Sequence, residues 1–149
     1  MICVIQRVLR ASVTVDGSVV GEIGPGMAVL AAVHRDDSPA DIEWTAGKLV
    51  AMRLFRNGEK HFDLDVKQVG GSILLVSNFT VAASTRHGRR PSLDQVAPPE
   101  MGAKLFDLLV DRVRSLGVPV ATGKFGADMK VEIVNDGPVT FLVDSRQAR

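Results

Sequence analysis

Ser77-Asn78-Phe79-Thr80 is the segment whose residue types could most readily do chemistry. Its three polar side chains emerge at the end of Ser72 to Val81, a strongly apolar and β-branched run that predicts a central strand. Hydroxyls and amides in such a place are costly unless they are paired. They either satisfy one another at the strand end or form a site there. As a site, Thr80 offers a nucleophile or a hydrogen-bond donor, and the adjacent backbone N–H groups offer an oxyanion hole. A second segment, Asn135-Asp136-Gly137-Pro138-Val139-Thr140, places a glycine before a proline. Glycine admits unusual backbone angles, and an X-Pro bond takes the cis form at modest cost. By pattern alone it reads as a turn between strands. A third segment, Arg86-His87-Gly88-Arg89-Arg90, is the one dense basic cluster, and its plain reading is a solvated loop.

Other chemistries lack their residues. His34, His61 and His87 stand far apart and, with Cys3 as the sole cysteine, predict no metal site and no disulfide. Gly123-Lys124 is followed by Phe125 rather than Ser or Thr, and no glycine precedes it at phosphate-loop spacing. No Gly-x-Ser-x-Gly elbow occurs, so the triad of an α/β-hydrolase is not expected. The formal net charge of +1 argues against a large footprint on a nucleic-acid backbone but permits a small site for the end of an RNA strand. With 149 residues, 46% hydrophobic and 23% charged, the chain suits one domain, residues 1–149. It shows no apolar run long enough to span a membrane and no signal-peptide pattern, which together with the single cysteine leads us to expect a cytoplasmic protein.

The elements that must position these residues follow from pattern. Val13, Val15 and Val19 predict two strands joined by Asp16-Gly17, and Met27 to Val33 predicts a buried strand. Ser38 caps a helix that opens on Pro39 and turns Ile42, Ala46, Leu49 and Val50 to the core. Asn57-Gly58 marks a turn. Thr85 to Ala97 is a long polar loop. Pro98-Pro99 introduces a second helix, with Met101, Leu105, Leu108, Leu109 and Leu116 as its apolar stripe and Gly117 as its end. Val118 to Thr122 is a short strand, Met129 to Ile133 alternates as a strand with one wet face, and Val139 to Val143 closes the fold. The polar residues 144–149 are expected to fray. Two helices for many strands predict a single layered α/β domain with mixed, curled or doubled β-sheets rather than a doubly wound fold.

Taken together, five segments carry a resemblance. They are Gln6-Arg7-Val8 with Ala11-Ser12-Val13, Ser77-Asn78-Phe79-Thr80, Gly88-Arg89-Arg90-Pro91-Ser92, Gly123-Lys124-Phe125-Gly126-Ala127-Asp128-Met129, and Asn135 to Thr140. In this order and spacing the chain resembles the D-aminoacyl-tRNA deacylase family over about residues 1 to 143. The resemblance implies a homodimer that hydrolyses D-aminoacyl-tRNA, and mischarged glycyl-tRNA, without metal or organic cofactor. It implies sites at the subunit interface, where Ser77, Asn78, Phe79 and Thr80 of one chain meet Gly137-Pro138 of the other. A cis Gly137-Pro138 would direct its carbonyl oxygens into the partner's pocket and exclude an L-amino acid. Phe125 and Met129 resemble the pocket of the terminal adenine, and Arg89 and Arg90 would meet phosphates near the tRNA end. The attacking group would be Thr80 or, the version favoured here, a water assisted by the ribose 2′-OH. Asn78 departs from the family motif, which more usually carries glutamine there. The competing reading is an RNA 3′-end binding module without catalysis, with no DNA and no membrane among the partners in either case.

Overall fold

The computed structural model describes residues 1–148. Strand β1 (Ile2–Val15) is the spine of the sheet. Its first half pairs antiparallel with β3 (Gly26–Ala32), and its second half turns back through Asp16-Gly17 to pair with β2 (Ser18–Ile23). Along its other edge runs β8 (Lys130–Asp144), antiparallel over nearly the full length. Beyond β3 the sheet continues with parallel β6 (Ser72–Ser77) and parallel β7 (Val120–Thr122). The sheet curls until β2 meets β7, so closely that a Cβ on Gly21 would lie 2.2 Å from the Thr122 carbonyl oxygen. The fold is thus α/β with a mixed, nearly closed sheet. A small hairpin of β4 (Phe55–Asn57) and β5 (Lys60–Leu64) stands apart around the Asn57-Gly58 turn.

Period-two alternation gives the sheet two apolar faces. Met27, Val29, Ala31, Ile73 and Leu75 face outward onto helices α1 (Pro39–Ala51) and α2 (Pro99–Ser115). Ala28, Leu74 and Val76 point the other way and join Val8, Ala11 and Val13 on the concave side. Helix α1 starts as its sequence predicts, with the Ser38 hydroxyl and amide both donating to the Asp41 carboxylate, at 2.8 and 3.0 Å. It buries Ile42, Ala46, Leu49 and Val50. Cys3 lies wholly inside, and burial pushes its thiol up to about 12, so it holds no thiolate at neutral pH.

Four expectations need correction. The run Ser72 to Val81 is a strand only to Ser77, because a 3-10 turn over Phe79–Ala82 takes over once β3 and its hydrogen bonds run out. Leu108 of α2 is exposed, and Phe106, Val110 and Val113 take the buried positions, since the helix is rotated by its contact with α1. Asn135 to Pro138 is not a turn between strands but a bulge inside the continuous strand β8. Finally, residues 145–148 do not fray. They form a 3-10 turn whose Ser145 is buried, its hydroxyl donating to Asp41 at 2.9 Å and accepting from the Met1 ammonium at 2.6 Å. That ammonium also pairs with buried Asp37. Arg149, the last residue of the expected tail, lies outside the described residues.

Candidate active site

Where β6 ends, the chain lies at the rim of the curled sheet. Here a cavity of about 860 Å³ opens between the concave face and the start of α2. Ser77, Asn78 and Phe79 form one side of it, and Phe125 and Met129 form another. Two segments separated by more than forty residues in the chain, and each singled out by sequence, therefore share one space. Most of the remaining wall is aliphatic, with Leu30 and Val76 from the concave face and Leu93 and Val96 from the long loop. An apolar space with a few polar groups on one wall suits a ligand that is largely flat and apolar but must be held at one end.

The polar wall can be read atom by atom. The Asn78 amide N–H is already used, donating to the Ala31 carbonyl at 2.8 Å. Phe79 and Thr80 are the first residues of the 3-10 turn, so their N–H groups have no acceptor within it. Thr80 is exposed, and its hydroxyl donates to the Asn78 side-chain oxygen at 2.6 Å. A side-chain amide oxygen is a hydrogen-bond acceptor and a very weak base. Thr80 thus orients the Asn78 amide, leaving the Asn78 NH₂ donors for other partners. No histidine or carboxylate hydrogen-bonds to Thr80 among the described residues, so nothing there activates it as a nucleophile.

Phe125 is half-exposed and leans on α2. Its ring centroid is 6.2 Å from that of Phe106, and a Cβ added at buried Gly102 would come within 3.3 Å of its Cζ. The bare backbone of α2 at Gly102 gives the ring room to lie against the helix. Gly102 was not identified from sequence, where a glycine inside a helix registers only as a loss of propensity.

Gly137 and Pro138 do not line this cavity. They sit exposed on β8, and the peptide joining them is cis. Gln6 pairs with Thr140 and Val8 with Asn135, so Arg7 alone stands opposite 136–139. Arg7 is 3% exposed and braces that bulge from within the sheet. Its Nε donates to the Asp136 carbonyl at 3.2 Å and lies 3.0 Å from the Asp136 carboxylate, while Nη1 donates to the Leu54 carbonyl at 2.8 Å. Asn135 closes the base of the bulge, donating to the carbonyls of Arg7 and Val139, each at 2.9 Å. Only glycine fits at 137: φ is +135°, and a Cβ would lie 2.6 Å from Val139 Cγ2 and 3.3 Å from an Arg7 nitrogen. Sequence reasoning assigned Arg7 no role. The signal was available, since an arginine inside the alternation of Cys3 and Ile5 takes an inward position, and a buried guanidinium requires acceptors.

Arg89 and Arg90 are exposed and lie outside the cavity wall. Their loop is closed at its base by paired bonds between Ser84 and Ser92, at 2.8 and 2.9 Å, just before Leu93 enters the wall. Among the described residues no group of histidines, cysteines or carboxylates could hold a metal ion, and no helix is long and apolar enough to cross a membrane.

Comparison with known proteins identifies the family. Residues 4–144 match the family described as D-Tyr-tRNA(Tyr) deacylase. A D-aminoacyl-tRNA deacylase of Geobacter sulfurreducens is 51% identical over 146 residues, covering 98% of this chain and 96% of its own length. One from Dehalococcoides mccartyi is also 51% identical, covering 98% of this chain and 95% of its own. Among solved structures, a c-Myc DNA unwinding element binding protein superposes with a TM-score of 0.93 at 35% identity, covering 97% of this chain and 98% of that one. A probable eukaryotic D-amino acid tRNA deacylase shares the fold, with a TM-score of 0.79 at 17% identity over 95% of this chain and 97% of its own. The chain belongs to the D-Tyr-tRNA(Tyr) deacylase family and is a hydrolase.

Proposed function

We propose that this protein hydrolyses the ester between a D-amino acid and the 3′-terminal ribose of tRNA, releasing both, as a step of chiral proofreading in the cytoplasm. The observation that supports this is the shared cavity, where Phe79, whose N–H has no acceptor within its 3-10 turn and is followed in the chain by that of Thr80, borders an apolar space walled by an aromatic ring. The terminal adenine stacks on Phe125 against Met129. The ester carbonyl then lies toward Phe79 and Thr80, whose amides stabilise the oxyanion. One such donor contributes about 2.7–4 kcal/mol to transition-state stabilisation. Arg89 and Arg90 take up phosphates of the acceptor end.

Because the Thr80 hydroxyl is committed to Asn78, the attacking group is a water assisted by the ribose 2′-OH. Asn78, one methylene shorter than the glutamine usual in the family, presents its NH₂ to the substrate from a position fixed by Thr80. Thr80→Val is therefore expected to lower kcat by no more than about tenfold, the worth of one hydrogen bond of about 1 kcal/mol. A loss of about 10⁴-fold or more in single-turnover hydrolysis would restore Thr80 as nucleophile.

Stereospecificity is assigned to Gly137-Pro138 of a second copy. The support is twofold. This exposed element does not line its own cavity, and β8 presents a free edge with Leu142 65% and Phe141 38% exposed, apolar surface that a homodimer would cover. Set against the cavity of the other subunit, its carbonyl oxygens leave no room for an L side chain. Glycine passes because it has no side chain to exclude. The test is hydrolysis of one tRNA charged with D-tyrosine and with L-tyrosine. Release of the D form alone is expected. Release of both overturns the chiral role, and release of neither with retained RNA binding favours a non-catalytic RNA-end module.

A further inference from the structure

Phe106 and Phe125 also wall a second, smaller cavity of about 300 Å³. Its lining is otherwise mostly polar. Asp107, Asp111 and Arg114 come from one face of α2, at successive helical spacings, and Thr122 comes from the end of β7. Arg114 leans across the cavity edge, with Nη1 3.9 Å from an Asp111 carboxylate oxygen and Nη2 donating to the Val120 carbonyl at 3.4 Å. Both carboxylates remain exposed to whatever enters. Lys124, also exposed, stands in the chain between Gly123 of this cavity and Phe125 of both.

We propose that this second cavity takes the nucleotide preceding the terminal adenosine and reads it as cytosine. The inference rests on the reading that Phe125 stacks the terminal adenine. A strand leaving the large cavity past Phe125 enters the small one, with its bridging phosphate near Lys124. Every tRNA ends in C-C-A, so that next base is cytosine. Cytosine presents an amino donor beside two acceptors, N3 and O2. Carboxylate and guanidinium complement it, the first accepting from N4 and the second donating to the acceptors. Uracil presents a carbonyl oxygen where cytosine has the amino group, and so sets lone pairs against a carboxylate. The carboxylates also argue against simple backbone tracking, because negative charge beside a polyanion weakens binding unless a base donates to it.

That opposition of signs makes the test sharp. Binding of cytidylyl-adenosine, uridylyl-adenosine and adenosine is measured by titration calorimetry on wild type, on D107A/D111A and on Arg114→Gln. Wild type is expected to prefer the cytidylyl dinucleotide about tenfold or more, the worth of one good base-edge pair. Each variant is expected to lose that preference while its affinity for adenosine is unchanged. If D107A/D111A instead binds both dinucleotides more tightly and equally, the carboxylates only repel phosphate and the proposal fails. It fails too if wild type shows no preference. Hydrolysis separates this from the parent reading. D-tyrosyl-tRNA should lose about as much kcat/KM in the variants as cytidylyl-adenosine loses affinity, and D-tyrosyl-adenosine should lose nothing. A wild type that prefers the cytidylyl dinucleotide yet hydrolyses neither ester keeps the subsite and loses the deacylase. Active wild type without the preference does the reverse. The substituted side chains are solvent-facing, and thermal melts confirm folding of each variant.

Discussion

Arg7→Lys is expected to cut kcat/KM on D-tyrosyl-tRNA by about 10²-fold and to narrow the gap between D and L substrates, the scale on which an ångström of misplacement is felt. Arg7 touches neither the cavity nor the exposed face of Gly137-Pro138. It acts through the bulge, reaching the Asp136 backbone and side chain with one nitrogen and the Leu54 carbonyl with another. A lysine carries one point charge on a flexible stem and cannot span both. The stability cost is smaller and has a different source. The Leu54 carbonyl loses its donor inside the protein, at about 1–3 kcal/mol. The ion pair adds little, because the Asp136 side chain is 39% exposed and screened by water. The fall in Tm is then several degrees, at about 2–4 °C per kcal/mol for a chain near this size. Asp136→Asn separates the contributions. It keeps the backbone acceptor and removes only the screened charge, so both activity and D/L selectivity should stay near wild type. If Arg7→Lys lowers Tm and leaves both kinetic readouts intact, Arg7 is structural only.

Phe125→Ala is expected to raise KM about 5- to 150-fold with kcat largely kept, which is the roughly 1–3 kcal/mol of one base stacked on one ring. Phe125 is 39% exposed and rests against Phe106, so its removal opens no closed core. Stability should change far less than affinity. Gly102→Val reaches the same ring from behind. The Cβ alone would come within 3.3 Å of Phe125 Cζ, so a valine side chain there presses on the ring. The expected result is a KM shift in the same direction as Phe125→Ala, since Gly102 backs the ring and lines the same cavity. A large drop in Tm with KM unchanged in Phe125→Ala would make the ring ordinary packing and remove the adenine pocket from that wall. Steady-state kinetics beside thermal melts decides it.

Local chemistry was the legible part. Asp16-Gly17 names its hairpin, Ser38-Pro39 with Asp41 names the start of α1, and Gly117 names the end of α2, because capping and turn geometry involve neighbours in the chain. The bulge at Asn135 to Pro138 was read as a turn because its distinguishing feature is non-local. Its extra residues are opposed by Arg7, whose place in the chain is far away. Leu108 and Phe106 exchanged places for a similar reason. Periodicity finds the stripe of a helix but not its rotation, which contact with α1 sets. The tail was misjudged because polar composition does not disclose that Ser145 meets the Met1 ammonium and Asp41.

The sequence by itself determined the kinds of group this protein could bring to a reaction. It supplied hydroxyl and amide at a strand end, glycine before proline, and one aromatic near a methionine. Those follow from residue types and short spacings alone. Tertiary structure decided which of them meet. Curling the sheet carries Phe125 and Met129 to the end of β6, and the bulge in β8 holds Gly137-Pro138 apart from that cavity, on an edge left open. The reason is physical. Closure depends on strand pairing over long separations in the chain, and on close approaches such as Gly21 against Thr122, which no local pattern encodes.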